Sequence, residues 1–439
     1  MRPNLGRLAT LWVLMLLSVS LVSCNGNGGD SGASSQTVQG AFIASERERS
    51  MVPATSPWDV DELVEGNTDF AFDLYQALRD KGDNVIYSPY SISLALAMTF
   101  GGARHDTEMQ MAETLNFTLG QEGVHPAFNA LDLELERRGK GAQGSDGKGF
   151  RLHVANAIWG QAGYSFLSNF LDTLAENYGA GLRLLDFAAA PEESRLTIND
   201  WVSDETEERI PDLLPPGSVS PFTRLVLTNA IYFNAAWNFP FDELATQPGL
   251  FHLLGGGEVT ADMMSQVEHF NYSRGGYYQV IELPYDGHEL SMVIFIPDEG
   301  WFEAFENVLT ADKVDEIVKG LSPENVSLTM PKFTFDFGLS LNQILAAMGM
   351  PDAFDPTAAD FSGMDGSRSL FISNVLHKAF IAVDEEGTEA AAATAVVMEL
   401  TAVLDPPIVV SIDRPFVFMI RDLETRTVLF MGRVLHPET

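Results

Sequence analysis

Val383-Asp384-Glu385-Glu386-Gly387-Thr388-Glu389-Ala390-Ala391-Ala392-Ala393-Thr394-Ala395-Val396-Val397 lies close to the C-terminal end of the chain. Beyond the glutamates its side chains are nearly all small, with one glycine at the base and no proline. A segment of that kind can slip into a sheet that is already packed, because it brings little bulk and keeps every backbone N–H available to a ladder. It is a candidate moving part. Helix propensity points the other way: Glu386 to Glu399 is rich in alanine, the best helix former, and taken alone reads as a surface helix. Strand-like runs on both sides, Ala379 to Val383 and Val409 to Ile412, weaken the helical reading.

Working outward, 439 residues with 46% apolar content are ample for a large core. Lys and Arg number 26 against 61 Asp and Glu, and a formal charge of −35 repels phosphate backbones and anionic lipid headgroups. Nucleic acid is therefore excluded as a partner. One cysteine rules out an internal disulfide framework and any Cys-cluster metal site. The eight histidines include no pair at ligand spacing, and the chain has no His-Glu-x-x-His, phosphate loop or dinucleotide fingerprint, so neither metal nor cofactor is expected.

The single cysteine has its own reading. Residues 1–23 carry Arg2 and Arg7, then a mostly apolar run from Leu8 to Val22, which is the pattern of a secretion signal. Leu21-Val22-Ser23-Cys24 is similar to a bacterial lipobox, which implies cleavage before Cys24, lipid on Cys24, a bacterial source and an exported, membrane-anchored lipoprotein facing the periplasm or cell exterior. An ordinary signal cut nearby and an uncleaved anchor are the alternatives. Residues 24–57 are rich in Gly, Ser, Asn and Ala without hydrophobic period and read as a flexible tether. Gly29-Asp30-Ser31-Gly32 within it mimics the nucleophile loop of trypsin-like proteases, but a tether offers no rigid scaffold and no oriented histidine.

From Trp58 to the end, residues 58–439 read as one domain, interrupted only by the Gly-rich patch Gly139 to Gly149, which looks like a surface loop. Phe70, Leu74 and Leu78 recur every four residues, and Ser91 to Phe100 is an apolar helix stopped by Gly101-Gly102. Ile198 to Glu208 and Leu339 to Met348 read as further helices. Leu225 to Phe233, Leu290 to Ile296, Val409 to Ile412 and Pro415 to Ile420 are apolar, β-branched strand runs. Val326, Leu328 and Met330 alternate before the period shifts around Pro331 to Phe333, Phe335 and Phe337, as at a bulge. Helices first and strands later give mixed α+β.

These pieces together resemble a serpin over roughly Trp58 to the C-terminus. The resemblance rests on Asn84-Val85-Ile86-Tyr87-Ser88-Pro89-Tyr90-Ser91-Ile92-Ser93, on Gly101-Gly102-Ala103-Arg104 with Thr107, and on Leu227-Thr228-Asn229-Ala230-Ile231-Tyr232-Phe233-Asn234 with Trp237 and Phe241. Arg414-Pro415-Phe416-Val417-Phe418 and Val428 to Val434 complete it. It implies the serpin fold: an N-terminal helical cluster, a large central mixed sheet, smaller sheets, and an exposed reactive-centre loop at about residues 385–407. It further implies that the loop is protease bait and that, once cut and acylated, it inserts as a new strand. The protein is then an inhibitor rather than an enzyme.

By the same resemblance Glu385, Glu386, Gly387, Thr388, Glu389, Ala390, Ala391, Ala392 and Ala393 form the hinge, Gly387 letting the chain turn out of its strand. If Thr388 faces inward, strand alternation takes Ala390, Ala392, Thr394 and Val396 with it and leaves Glu389 in water, so insertion buries no charge. A charged or bulky residue at Thr388 or Ala390 would slow insertion and turn an inhibitor into a substrate. Family spacing from Glu385 places the reactive bond at Thr401-Ala402, with Leu400 and Met398 as alternatives. Thr401 suits an elastase-like or subtilisin-like serine protease, whereas Leu400 or Met398 suits a chymotrypsin-like one. Ser88, Ser91, Asn229 and His377 hold the raw material of a hydrolase but lack a nucleophile-elbow pattern. The resemblance makes them a buried polar cluster beneath the strands that part, with Trp237 where insertion begins. A monomer is expected. A cross-class inhibitor of cysteine proteases and a non-inhibitory serpin remain as alternatives.

Overall fold

The computed structural model describes residues 40–140, 142, 151–388 and 406–437, apart from the side chains of residues 151–153. In chain order the helices that matter here are α1 (Pro57–Leu78), α2 (Pro89–Phe100), α3 (His105–Thr114), α4 (Gly120–Leu135), α5 (Ser168–Tyr178) and α6 (Pro191–Glu205). The strands are β1 (Ala41–Ile43), β2 (Val85–Tyr87), β3 (Arg151–Gln161), β4 (Leu182–Leu185), β5 (Leu225–Ala236), β6 (Gln247–His252), β7 (Glu258–Arg274) and β8 (Tyr278–Pro284). They continue as β9 (Leu290–Pro297), β10 (Ser322–Pro331), β11 (Phe333–Ser340), β12 (Ile372–Val383), β13 (Gly387–Thr388), β14 (Ile408–Ser411), β15 (Phe416–Asp422) and β16 (Val428–Val434).

Seven strands form one mixed sheet in the order β1-β4-β3-β5-β13-β12-β11, and below β13 the neighbours β5 and β12 pair directly, in parallel. The remaining nine join by continuous pairing in the order β14-β10-β7-β8-β9-β15-β16-β2, with β6 on β7. β5 is buried at all twelve positions, Thr228, Asn229 and Asn234 included, and its largely apolar run is that of a strand covered on both faces. Helix α2 is likewise buried along its whole length; Pro89 opens it, and the Ser88 hydroxyl caps it by accepting from the Ser91 N–H at 3.2 Å. One large apolar cluster joins α1, α2 and the inner faces of both sheets, and a smaller one lies under α6.

Two expectations change. The shift of period around Pro331 is no bulge: β10 ends there in the nine-stranded sheet and β11 starts at Phe333 in the seven-stranded one, so the side-chain phase resets because the chain changes sheets. Lys332, at that corner, donates its N–H to Asp262 O at 2.8 Å. The tether read over residues 24–57 is corrected in its second half. Ala41–Ile43 pair antiparallel with Leu182–Leu184 and extend the seven-stranded sheet by an edge strand. Beyond it, Arg49 reaches Asn129, Asp132 and Glu136 of the α4 region at 2.8, 2.6 and 2.7 Å, the Ser50 N–H bonds Glu176 O of α5, and Ser56 caps α1. Composition hid this, because three strand residues and two arginines make no periodic signal. The patch Gly139 to Gly149 lies largely outside the described residues.

Candidate functional site

β5 and β12 run side by side, and where they face each other the sheet carries a polar row. Asn156 of β3 lies opposite Asn229 of β5, which lies opposite His377 of β12. His377 is fully buried; its Nδ1 donates to Asn229 Oδ1, and its Nε2 accepts from the Ser88 N–H at 3.3 Å. Asn229 Nδ2 donates to Ser91 Oγ at 2.6 Å and also to Asn156 Oδ1. With both ring nitrogens satisfied by neutral partners, burial pushes the His377 ring down to about 3 and it stays uncharged. The row therefore clasps β3, β5 and β12 to the N-terminus of α2.

The four polar residues named from the sequence, Ser88, Ser91, Asn229 and His377, thus meet in one place. Asn156 completes the row and was missed. Its signal was an amide inside the apolar run Val154 to Trp159. Both serines are fully buried and each hydroxyl is held by the helix cap or the asparagines, so neither is offered to a substrate.

At the other end of the same strands a second group holds the segment Asp384 to Thr388. Trp237 stacks on Tyr285, with ring centroids 4.7 Å apart and planes 10° from parallel. Its indole N–H donates to Asp384 O at 3.0 Å and its backbone N–H to Glu386 O at 2.8 Å, while Phe241 N–H reaches Glu385 O at 2.7 Å. The Tyr285 and Thr388 hydroxyls are 2.9 Å apart. Glu385 is buried yet bound by the Lys332 ammonium at 2.7 Å and the Thr246 hydroxyl at 2.6 Å. Burial alone would raise its pKa, but Lys332 and Thr246 outweigh that and hold the carboxyl below the usual range. Lys332, Thr246 and Tyr285 carried no signal in the sequence, since their partners are distant in the chain.

Gly387 is required for a reason other than a turn. It pairs with Ala236 of β5, and a Cβ there would lie 2.1 Å from Ala235 O and 2.6 Å from Ala236 Cα. The glycine allows close backbone approach. The turn itself is made by Asp384, whose carboxylate accepts from the N–H groups of Glu386 and Gly387 at 3.0 and 3.2 Å. Of the predicted hinge, Glu385 to Thr388 are placed; Glu389, Ala390, Ala391, Ala392 and Ala393 lie outside the described residues, as do Met398, Leu400, Thr401, Ala402 and Cys24. Among the described residues no cluster of three or more His, Cys, Asp or Glu is placed to hold a metal, and no helix is long and apolar enough to cross a membrane.

The family model described as "Serpin (serine protease inhibitor)" matches residues 65–437. A leukocyte elastase inhibitor of Homo sapiens is 40% identical over 395 residues, covering 86% of this chain and all of that protein. An uncharacterized serpin-like protein of Thermococcus kodakarensis is 39% identical over 378 residues, 86% of each chain. Among solved structures, the thermophilic serpin tengpin in its native state superposes with a TM-score of 0.78 at 28% identity, over 91% of this chain and all of that one.

Proposed function

Because the chain belongs to the serpin family, we propose that it is a suicide-substrate inhibitor of serine endopeptidases. Residues 385–407 present a bait bond, and after cleavage the freed strand enters the seven-stranded sheet and traps the acyl-enzyme. The observation that carries this reading is β13. Gly387 and Thr388 already stand between β5 and β12, antiparallel to both, at the top of a pair of strands that are parallel to each other. A strand entering there exchanges one parallel contact for two antiparallel ones, the pairing slightly more stable per residue.

Continuing the register from Thr388 opposite Ala235 would set Ala390 against Phe233, Ala392 against Ile231, Thr394 against Asn229 and Val396 against Leu227. Counted from Val383 on the β12 side, Thr394 also falls against His377. The two counts agree, since Asn229 and His377 are themselves opposed. Thr388 is buried, so its face would receive Ala390, Ala392, Thr394 and Val396, small or β-branched and uncharged. Thr394 brings a hydroxyl, donor and acceptor, to the polar groups its strand must separate.

The identity to leukocyte elastase inhibitors and the small Thr401 ahead of Ala402 support an elastase-like target; Leu400 or Met398 as bait would redirect the inhibitor to chymotrypsin-like enzymes. Incubation with elastase, chymotrypsin, subtilisin and papain is expected to give a denaturant-resistant adduct with elastase. An adduct confined to papain would move the assignment to the cross-class reading, and cleavage by all four without adduct would reject inhibition. Residues 1–23 and Leu21 to Cys24 support export of a bacterial lipoprotein held at a membrane through Cys24. The mass of the mature N-terminus decides that reading: a mature chain without lipid on Cys24 rejects it.

A further inference from the structure

Fifteen large apolar side chains are exposed among the described residues, and four of them, Phe42, Met51, Val52 and Trp58, fall within one stretch of seventeen residues. Val52 is 87% exposed, Trp58 81% and Met51 67%. The backbone between them is fixed on both sides: the Ser50 N–H bonds Glu176 O at 2.8 Å, and Ser56 caps α1 through Asp59. Trp58 stands six residues after Val52, at most about 21 Å of chain, so both belong to one small area of surface.

Single exposed apolar residues need no explanation, whereas a group of them does. Residues 40–58 hold two arginines and two glutamates and so carry no net charge, on a chain of net −35. The three carboxylates nearest Trp58 in the chain are engaged by the protein itself. Asp59 accepts from the Ser56 N–H and hydroxyl, both at 2.8 Å, Glu62 accepts from the Thr118 hydroxyl at 2.6 Å, and Asp61 lies 3.7 Å from Arg426. The group can therefore meet a boundary between water and apolar matter without desolvating an unpaired carboxylate. Tryptophan suits such a boundary, because its ring is an apolar body with one polar N–H.

We propose that Met51, Val52 and Trp58 form a membrane-contact surface that seats in the headgroup layer of a zwitterionic bilayer. The proposal rests on the reading of Cys24 as the lipid-bearing residue. Cys24 stands sixteen residues before Gly40, so the first described residue lies within about 56 Å of an anchored lipid, and the strap is the part of the domain with the shortest chain path to the bilayer. Held at that effective concentration, a contact too weak to retain a free protein is populated, and it gives the domain a fixed orientation at the membrane. The chain's negative field disfavours an anionic surface, so the bilayer it fits is one without net charge.

The test uses the mature chain with Cys24→Ser, so that no lipid can attach, and phosphatidylcholine vesicles. Affinity is read by co-sedimentation over a lipid titration. Seating of Trp58 is read as quenching of its emission by brominated acyl chains in a Trp301→Phe background, which removes the other exposed tryptophan. Val52→Asp and Trp58→Asp are each expected to weaken binding about tenfold, and Trp58→Ser, which adds no charge, to weaken it likewise. Phe222→Asp, at a residue 77% exposed in the loop before β5, is the charge-matched control and is expected to stay within twofold. Melting temperatures are expected to be unchanged, and an aspartate at position 58 suits the first turn of α1, so the fold survives it. A parent chain that neither sediments nor is quenched would overturn the proposal, as would an equal loss in Phe222→Asp. A blue shift that grows with protein concentration without lipid and vanishes in Trp58→Asp would also overturn it, assigning the surface to a second copy of the chain. Failure of the lipoprotein reading is seen separately, in the mass of the mature N-terminus, while the vesicle measurements on the unlipidated chain report the surface by themselves.

Discussion

His377 donates from Nδ1 and accepts at Nε2, so a proton added to Nε2 breaks the Ser88 bond and places a charge in a fully buried site. The exposed ring of an unfolded or opened chain takes that proton near pH 6.5, whereas burial depresses the folded ring to about 3. Its stabilisation is therefore complete above about pH 6.5 and is lost as pH falls toward about 3, at roughly 1.4 kcal/mol per pH unit. The partners Ser88, Ser91, Asn156 and Asn229 do not titrate in this range. The half-life of native monomer is expected to shorten between pH 7 and pH 5, and His377→Gln to flatten that dependence by about one proton. His125, also lowered to about 4 by burial, is common to both proteins and cancels in the comparison. Parallel pH profiles for wild type and variant would remove His377 from the clasp. At this scale the residue types were legible in the sequence, as an amide or histidine inside an apolar strand needs a partner. For Gly387 the position was legible but the reason was not, because a close approach involves Ala236 on a strand distant in the chain.

Among elements, the strap of residues 40–50 ties β4, α4 and α5 together. Arg47 is an exposed side chain pairing with Asp172 and Glu176, an arrangement of little net worth. Arg49 is 17% exposed and binds three oxygens on the α4 side. Arg49→Ala leaves the Asp132 carboxylate and the Asn129 amide short of a partner and is expected to cost about 1–3 kcal/mol. The measurement is the rate at which native monomer is lost on heating, several-fold faster in Arg49→Ala and within twofold of wild type in Arg47→Ala. Equal rates for the two variants would mean that the strap does not secure the sheet edge. The apolar pattern marked α1 by its repeat every four residues, since one face is buried, α2 and β5 by dense apolar runs, since both are buried throughout, and of β12 the end, Ala379 to Val383. It could not mark β1, held by backbone pairing with burial only partial, nor distinguish a bulge from a change of sheet at Pro331.

For the whole molecule, the proposed mechanism requires an intact fold that is less stable than its cleaved product. Nicking the loop would free residues 389 to 398 to fill the ten positions of β5 from Asn234 to Leu225. If insertion is worth about 5 kcal/mol, the melting temperature of a domain this large rises by roughly 6 °C. Identical melting of nicked and intact protein, measured by differential scanning calorimetry, would remove the stored imbalance on which trapping depends. By itself the sequence determined that residues 388 to 397 can make a strand with one small, uncharged face, Glu389 lying on the other, and that the domain carries the serpin motifs, because composition, alternation and local spacing are written in consecutive residues. Only the tertiary structure decided what that strand would meet: the opening between parallel β5 and β12, the Asn156–Asn229–His377 row, and the Lys332–Glu385–Thr246 contact. Each of those joins residues brought together by topology, and local periodicity specifies which face of an element is buried without specifying which distant side chain will lie against it.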